Sequence, residues 1–337
     1  MQTTSWVFAS LVGRCEAMEA LKARIVRTAP SELRVHIYGE TGTGKENVAR
    51  ALHALSPRAR HRFVAVNLAG FSDELCAAEL FGHARGAFTG AVAVREGYIA
   101  EAEGGTLFID EVADLSRLAQ LRLLRFLQER EYQRLGETAP RRADVRVLSA
   151  TNVDLARRVG EGSFREDLFY RLKEERLVVP PLRERGGDVL LLARHFLLQS
   201  AAALAVAVPQ LGAEADAALR RHSWPGNVRE LESEMRRLVV FAAGRQVSAQ
   251  DFSPEVVGGR LTTCGLRATM RQHEADLLKS ALDRAGGVQA RAAAELGITR
   301  QALSAKLQRL GLTQRRERGC SSPRLAGPSA SGLVPVG

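Results

Sequence analysis

Residues 39–46 read GETGTGKE, and residues 106–111 read TLFIDE. The first stretch follows an apolar run, opens a helical one and has the spacing G-x-x-x-x-G-K. Glycines so spaced let successive backbone N–H groups face one concavity, and the helix start adds partial positive charge. Gly39, Glu40, Thr41, Gly42, Thr43 and Gly44 therefore form a candidate cradle for the phosphates of ATP, with Lys45 reaching the terminal ones. Glu46 stands where a Ser or Thr hydroxyl usually holds magnesium. The second stretch ends an apolar run in two adjacent carboxylates. Asp110 is placed to hold Mg2+, directly or through water, and Glu111 to orient or deprotonate an attacking water. The competing reading is a strand that merely stops at two solvated acids.

The elements that must position these groups decide between the readings. Four runs, LRVHIYG, FVAVN, GTLFIDE and VRVLSATN, are apolar and free of proline, as buried parallel strands are. Helical stretches such as KENVARALHAL and LAQLRLLRFLQER alternate with them, the mark of βαβ units. Parallel sheets bind ligands at the carboxyl ends of their strands. The four runs end in the cradle, in Asn67, in Asp110–Glu111 and in Thr151–Asn152. That shared edge predicts one site, in which Asn67 holds Glu111 by a side-chain hydrogen bond. In FREDLFYRL, Arg165 and Arg171 lie six apart, past the strand ends. They suit the γ-phosphate, including that of a neighbouring subunit, or else pair locally with Glu166 or Asp167. Arg229, after WPGN, either closes over the nucleotide or pairs with Glu230 and Glu232.

Residues 1–10 form a short leading segment, and the α/β pattern with its parallel sheet runs over 11–179. A mostly helical region follows over 180–243, then a linker containing Pro254 over 244–266. A small all-α unit spans 267–313, and 314–337 is low in complexity, with disorder expected. Residues 85–91, RGAFTGA, suit neither a strand nor a helix because of their glycines. They predict a loop holding Phe88 out at its tip.

The net charge of +10 is concentrated at the end: residues 260–318 carry twelve Lys/Arg against five Asp/Glu, which points to nucleic acid. Residues 273–312 read as three helices, the first ended by Gly286–Gly287 and the second by Gly297, with Thr299 capping the third. Leu303, Leu307 and Leu310 make its buried face, leaving Arg300, Gln301, Ser304, Gln308 and Arg309 outside. This is helix-turn-helix geometry, with the last helix in the major groove. Arg300 is the expected guanine contact, while Lys306, Arg291 and Arg309 suit phosphates. A helical hairpin that only dimerises is the plainer alternative. No apolar run reaches membrane-spanning length, the start lacks signal-peptide character, and four scattered cysteines predict neither disulfides nor a metal site. A cytoplasmic protein is expected.

With these residues in hand, the chain resembles the sigma-54-dependent transcriptional activators, the bacterial enhancer-binding proteins. The resemblance covers about Leu11 to Leu312 and rests most specifically on ELFGHARGAFTGA (79–91). GETGTGKE, AEGGTLFIDE, FREDLFYRL, PPLRER and WPGNVREL follow the order of that family. It implies an AAA+ P-loop ATPase with a helical lid and a Fis-type DNA-binding domain. It also implies ATP and Mg2+, enhancer double-stranded DNA, and a hexameric ring of this chain in the bacterial cytoplasm, associated with the nucleoid. The loop Gly86, Ala87, Phe88, Thr89, Gly90 and Ala91 would contact sigma-54 in its closed complex with RNA polymerase. Phe88 would supply the apolar contact and Thr89 would shape the loop. Arg165 and Arg171 would act across the ring interface, Asn67 would relay nucleotide state from Glu111, and Arg229 would sense nucleotide from the lid. Glu46 is the family's usual residue.

The chain departs from the pattern in places. Leu68 replaces a usual Cys, and Lys173, Glu174, Glu175 and Arg176 interrupt the apolar strand expected after YRL. Only about ten residues precede the ATPase pattern, where most members carry a receiver or sensing domain. That start is expected of a minority member or of a truncated chain. Two other functions stay open: a non-activating DNA-binding regulator of the same fold, and an AAA+ remodeller of another protein.

Overall fold

The structure is a computed structural model that describes residues 7–88, 90–257, 278, 281, 284–285, 288–295 and 298–309. The chain divides into two units, Met1–Arg260 and Leu261–Gly337. In the first, α1 (Glu16–Thr28), β1 (Val35–Tyr38), α2 (Lys45–Ala54), β2 (Phe63–Asn67), α3 (Asp73–Phe81), the single turn α4 (Tyr98–Glu101) and β3 (Thr106–Asp110) come in order. Then follow α5 (Arg117–Glu129), the antiparallel pair β4 (Glu131–Tyr132) and β5 (Arg141–Arg142), β6 (Arg146–Thr151), α6 (Leu155–Gly160), α7 (Glu166–Leu172) and β7 (Glu175–Val178).

Five strands pair in parallel in the order β2–β3–β6–β1–β7. Because side chains alternate along a strand, an apolar run on a sheet covered on both faces feeds two cores. Leu107, Ile109 and Val147 pack under α3 and α5, while Phe108, Leu148 and Ala150 pack under α1 and α2. Arg146 opens β6 and is only 1 % exposed. Its guanidinium donates to the carbonyls of Ala29 at 2.8 Å and Thr28 at 3.3 Å. These belong to the end of α1, where a cation is favoured.

The charged run at 173–176 does not abolish the last strand. β7 forms at the edge of the sheet, where one side faces solvent and charges are tolerated. Glu174 pairs with Arg34, Glu175 with Arg24 at 2.5 Å, and Arg176 lies 4.8 Å over the Tyr38 ring.

The lid comprises α8 (Asp188–Leu204), β8 (Gln210–Leu211), α9 (Ala213–Arg221), α10 (Asn227–Phe241), β9 (Gln246–Val247) and α11 (Pro254–Val257). The expected linker at 244–266 is corrected here. Val247, Phe252 and Val256 are buried with Trp224, Leu231 and Leu238 in the lid core, and a Ser248–Asp251 capping box orders the chain between them. The lid therefore runs to Val257, and 258–266 lies outside the described residues. Among the described residues no helix is long and apolar enough to cross a membrane.

In the second unit, helices Gln289–Glu295 and Arg300–Arg309 enclose a small core of Leu278, Ala281, Ala292, Ala293, Leu303 and Leu307. Thr299 caps the second helix, its Oγ1 accepting from the Ala302 N–H at 3.2 Å. Leu310 and the tail at 314–337 lie outside the described residues.

Candidate nucleotide site and its neighbouring loop

The cradle forms between β1 and α2. Gly42 and Gly44 take φ of 78° and 95°, which side-chain-bearing residues rarely adopt. A Cβ on Gly42 would stand 2.2 Å from the Gly226 carbonyl oxygen, so only glycine lets the lid come this close. Lys45 is buried; its Nζ donates to the Gly39 carbonyl at 3.1 Å and lies 3.6 Å from Glu111 Oε1. Glu111 follows β3 with a left-handed φ of 52°, which turns its carboxylate toward β6. There Oε2 accepts from the Asn152 N–H at 3.2 Å and the Thr151 hydroxyl at 3.4 Å. Asn152 Nδ2 donates to Thr41 Oγ1 at 2.8 Å, closing the circuit back to the cradle. Asp110 Oδ1 accepts from the Glu111 N–H at 3.1 Å. Burial raises the Asp110 pKa; Lys45 opposes the rise and Glu111 adds to it. Three strand ends thus meet as expected. Glu46 points elsewhere and pairs with Arg50 on the surface of α2 at 2.6 Å.

Asn67 is a correction. It sits beside Asp110 in register, but its Oδ1 accepts from the Ala69 N–H at 2.8 Å. β2 lies on one side of β3 and β6 on the other, and Glu111 has turned toward β6. No Asn67–Glu111 hydrogen bond forms. Of the two arginines of FREDLFYRL, Arg165 takes the local pairing, and Arg171 does not lie past the strand ends as expected. Arg165 pairs with Asp167 at 2.7 Å. Arg171 lines a cleft of about 450 Å³ with Arg34, Arg146 and Glu174, at the amino ends of β1, β6 and β7. That is the edge opposite the cradle, so within one chain Arg171 does not meet Lys45 or Glu111.

Sequence reasoning passed over the residues that join lid to cradle. Asn227 is fully buried with a left-handed φ of 53°. Its Oδ1 accepts from the Leu182 N–H at 2.8 Å, and its Nδ2 donates to the Thr41 carbonyl at 3.0 Å and Glu40 Oε2 at 3.2 Å. The N–H groups of Val228 and Arg229 both donate to the Gly42 carbonyl, at 2.9 and 3.2 Å. Arg185, 2 % exposed, donates from Nη2 to the Thr43 carbonyl at 2.9 Å, and Arg183 pairs with Glu40. The available signal was a run of polar residues between proline punctuation, PPLRER and WPGN. Arg229 itself is exposed beside the cradle. Its local acids are engaged elsewhere: Glu230 accepts from the Gly226 N–H at 2.7 Å, and Glu232 pairs with Arg236 at 2.9 Å. A cavity of about 230 Å³ lies alongside, walled by Leu11, Val12, Met18, Phe196 and Val228, with Asn47, His195 and Gln199 offering polar groups. Its walls mix apolar side chains with polar and charged groups, including Arg185 and Glu232, a lining that suits a flat heterocycle with polar edges.

The loop at 86–91 is closed by the Gly86 N–H donating to the Ala91 carbonyl at 2.8 Å. Gly86 and Gly90 have φ of 78° and 103°. Phe88 is half-buried, not held free: its ring packs edge-on against His83 at 5.0 Å. An apolar ring in water folds onto the nearest flat surface. The Ala84 N–H donates to the Leu135 carbonyl at 2.9 Å, tying the loop base to the segment between β4 and β5. Thr89 lies outside the described residues. In the second unit Thr299, Gln301 and Ser304 are exposed, while the side chains of Arg300, Lys306 and Arg309 lie outside the described residues.

Residues 11–178 match the sigma-54 interaction domain, 183–264 the AAA+ ATPase lid domain, and 269–310 the Fis family of bacterial regulatory proteins. The transcriptional regulatory protein ZraR of Klebsiella oxytoca is 45 % identical over 303 residues, covering 89 % of this chain and 68 % of the relative. The DNA-binding transcriptional regulator NtrC of Escherichia coli K12 is 43 % identical over 329 residues, covering 90 % and 70 %. The crystal structure of NtrX from Brucella abortus in complex with ATP aligns with a TM-score of 0.70 at 37 % identity, covering 89 % of this chain and 69 % of that one.

Proposed function

This chain belongs to the sigma-54-dependent transcriptional activators, and from that premise we propose that it binds enhancer DNA and hydrolyses ATP to open promoter complexes of sigma-54 RNA polymerase. The observation that carries the proposal is the convergence of Lys45, Glu111 and Asn152 on a glycine cradle covered by the lid. Lys45 and the backbone of 39–45 bind the phosphates; Arg229 approaches from the lid. Glu111, held by Thr151 and Asn152, orients the attacking water and takes its proton. Asp110 fits a magnesium ion held mostly by water and substrate oxygens, which would neutralise charge on the phosphates. Arg171, at the sheet edge opposite its own cradle, and Arg165 serve the nucleotide of a neighbour in a hexameric ring. The relative crystallised with ATP supports the nucleotide assignment.

The Fis-type unit reads enhancer DNA through Arg300, Gln301 and Ser304, with Thr299, Lys306 and Arg309 on the backbone. The loop at 86–91 transmits the cycle to sigma-54, and a cytoplasmic, nucleoid-associated protein follows from those partners. The test is steady-state phosphate release by the purified chain. Glu111→Gln should lower turnover by about a hundredfold or more while nucleotide binding survives. DNA binding with no hydrolysis by the unsubstituted chain would instead favour a non-activating regulator.

A further inference from the structure

Glu40 places a carboxylate inside a loop otherwise built to receive anions. Arg183 answers it with a bidentate fork, its two terminal nitrogens donating to Glu40 Oε1 and Oε2 at 2.6 and 2.7 Å. Asn227 adds a third donor to the same carboxylate. The Glu40 carbonyl in turn accepts from Thr43, by Oγ1 at 2.7 Å and by N–H at 3.3 Å, so where Glu40 sits decides how the cradle curves. Arg183 occupies the short turn Leu182–Glu184 between β7 and α8, where the chain enters the lid. Its next acid, Glu184, is 3.8 Å away, so the strong partner is Glu40. The fork holds the Glu40 carboxyl below the usual carboxylate range.

From this geometry we infer that Arg183 is a positioning residue for nucleotide binding: it cancels the cradle's own negative charge and fixes the cradle's shape from the lid. One ion pair thereby links seating of the lid to affinity for polyphosphate. The inference rests on the nucleotide site proposed above. Arg183→Gln leaves the Glu40 carboxylate uncompensated beside the incoming phosphates. Affinity for ATP and ADP should fall about fivefold, the size expected of a half-exposed pair, with kcat at saturation little changed. Arg183→Lys, which keeps the charge without the fork, should fall between the two. The decisive variant is Glu40→Gln/Arg183→Gln. With no anion left to cancel, it should bind nucleotide more tightly than Arg183→Gln alone. A merely structural bridge would make the double variant as weak as the worse single variant.

The experiment is titration of the full chain and each variant with a fluorescent ADP analogue, alongside KM and kcat for ATP. An unsubstituted chain that binds no nucleotide overturns the functional reading itself. An unsubstituted chain that binds, with the double variant no tighter than Arg183→Gln, overturns only the role given to Arg183.

Discussion

Asn227 carries more of the lid's seating than any other buried polar side chain near the cradle, and the structure sets what its loss should cost. Alanine there removes the acceptor for the buried Leu182 N–H, which costs about 1–3 kcal/mol when left unpaired. It also removes the donor to the Thr41 carbonyl, about 0.5–1.5 kcal/mol. Asparagine tolerates the left-handed φ of 53° and alanine does so poorly, adding about 1 kcal/mol. Asn227→Ala should therefore destabilise the nucleotide-free chain by about 3–5 kcal/mol. Asn227→Gly loses the same bonds without the backbone strain and should recover about 1 kcal/mol of that. Asn227→Asp keeps the acceptor for Leu182 but turns a carboxylate toward Glu40, and should be damaging despite its shape. Urea denaturation followed by fluorescence reads this directly, because Trp224 is buried in the same lid. Alanine within about 0.5 kcal/mol of the unsubstituted chain, or alanine more stable than glycine, would refute the reasoning.

Three further outcomes are expected. Gly42→Ala drives a methyl group into the Gly226 carbonyl oxygen and should weaken ADP binding at least about tenfold by calorimetry; unchanged affinity would mean that the lid does not sit on the cradle. His36 is buried in β1, with Nδ1 3.0 Å from Ser149 Oγ, and burial, then Arg176 and Lys173, push its pKa down to about 4. Between about 4 and the ordinary 6.5 the unfolded chain binds a proton that the folded chain refuses, so acid costs stability across that window, about 3 kcal/mol in all. Denaturation at pH 7 and pH 4.5 should show that loss shrinking in His36→Asn, and an identical acid loss in both proteins would count against it. Arg300→Ala should weaken specific DNA binding more than non-specific binding in competition assays, whereas equal losses would remove Arg300 from base contact.

The strand ends were legible because each ended an uninterrupted apolar run in a polar group, and a parallel sheet aligns such ends. Glu111 with Asn152 and Lys45 follows from that alone. What lay beyond local pattern was which neighbour each polar group faces. Asn67 and Glu111 end adjacent strands, yet the left-handed turn at Glu111 sends its carboxylate to the other side. Arg34 and Arg24, distant in sequence, neutralise the charges that disguised β7. Val247, Phe252 and Val256 are spaced too irregularly to announce a buried face, and the surrounding loop chemistry hid their contribution to the lid. Arg183 and Asn227 were visible as residues but not as a pair of clamps, since the cradle they hold is more than 140 positions away in sequence.

The central claim is that nucleotide cleavage at the cradle reaches the polymerase through the loop carrying Phe88. Its most direct measurement is ATP-dependent opening of a sigma-54 promoter, followed on the same preparation as phosphate release, for the unsubstituted chain and Phe88→Ala. The account predicts opening by the first only, with hydrolysis preserved in both. Opening that persists without the Phe88 ring, or hydrolysis by the unsubstituted chain that never opens the promoter, would contradict it.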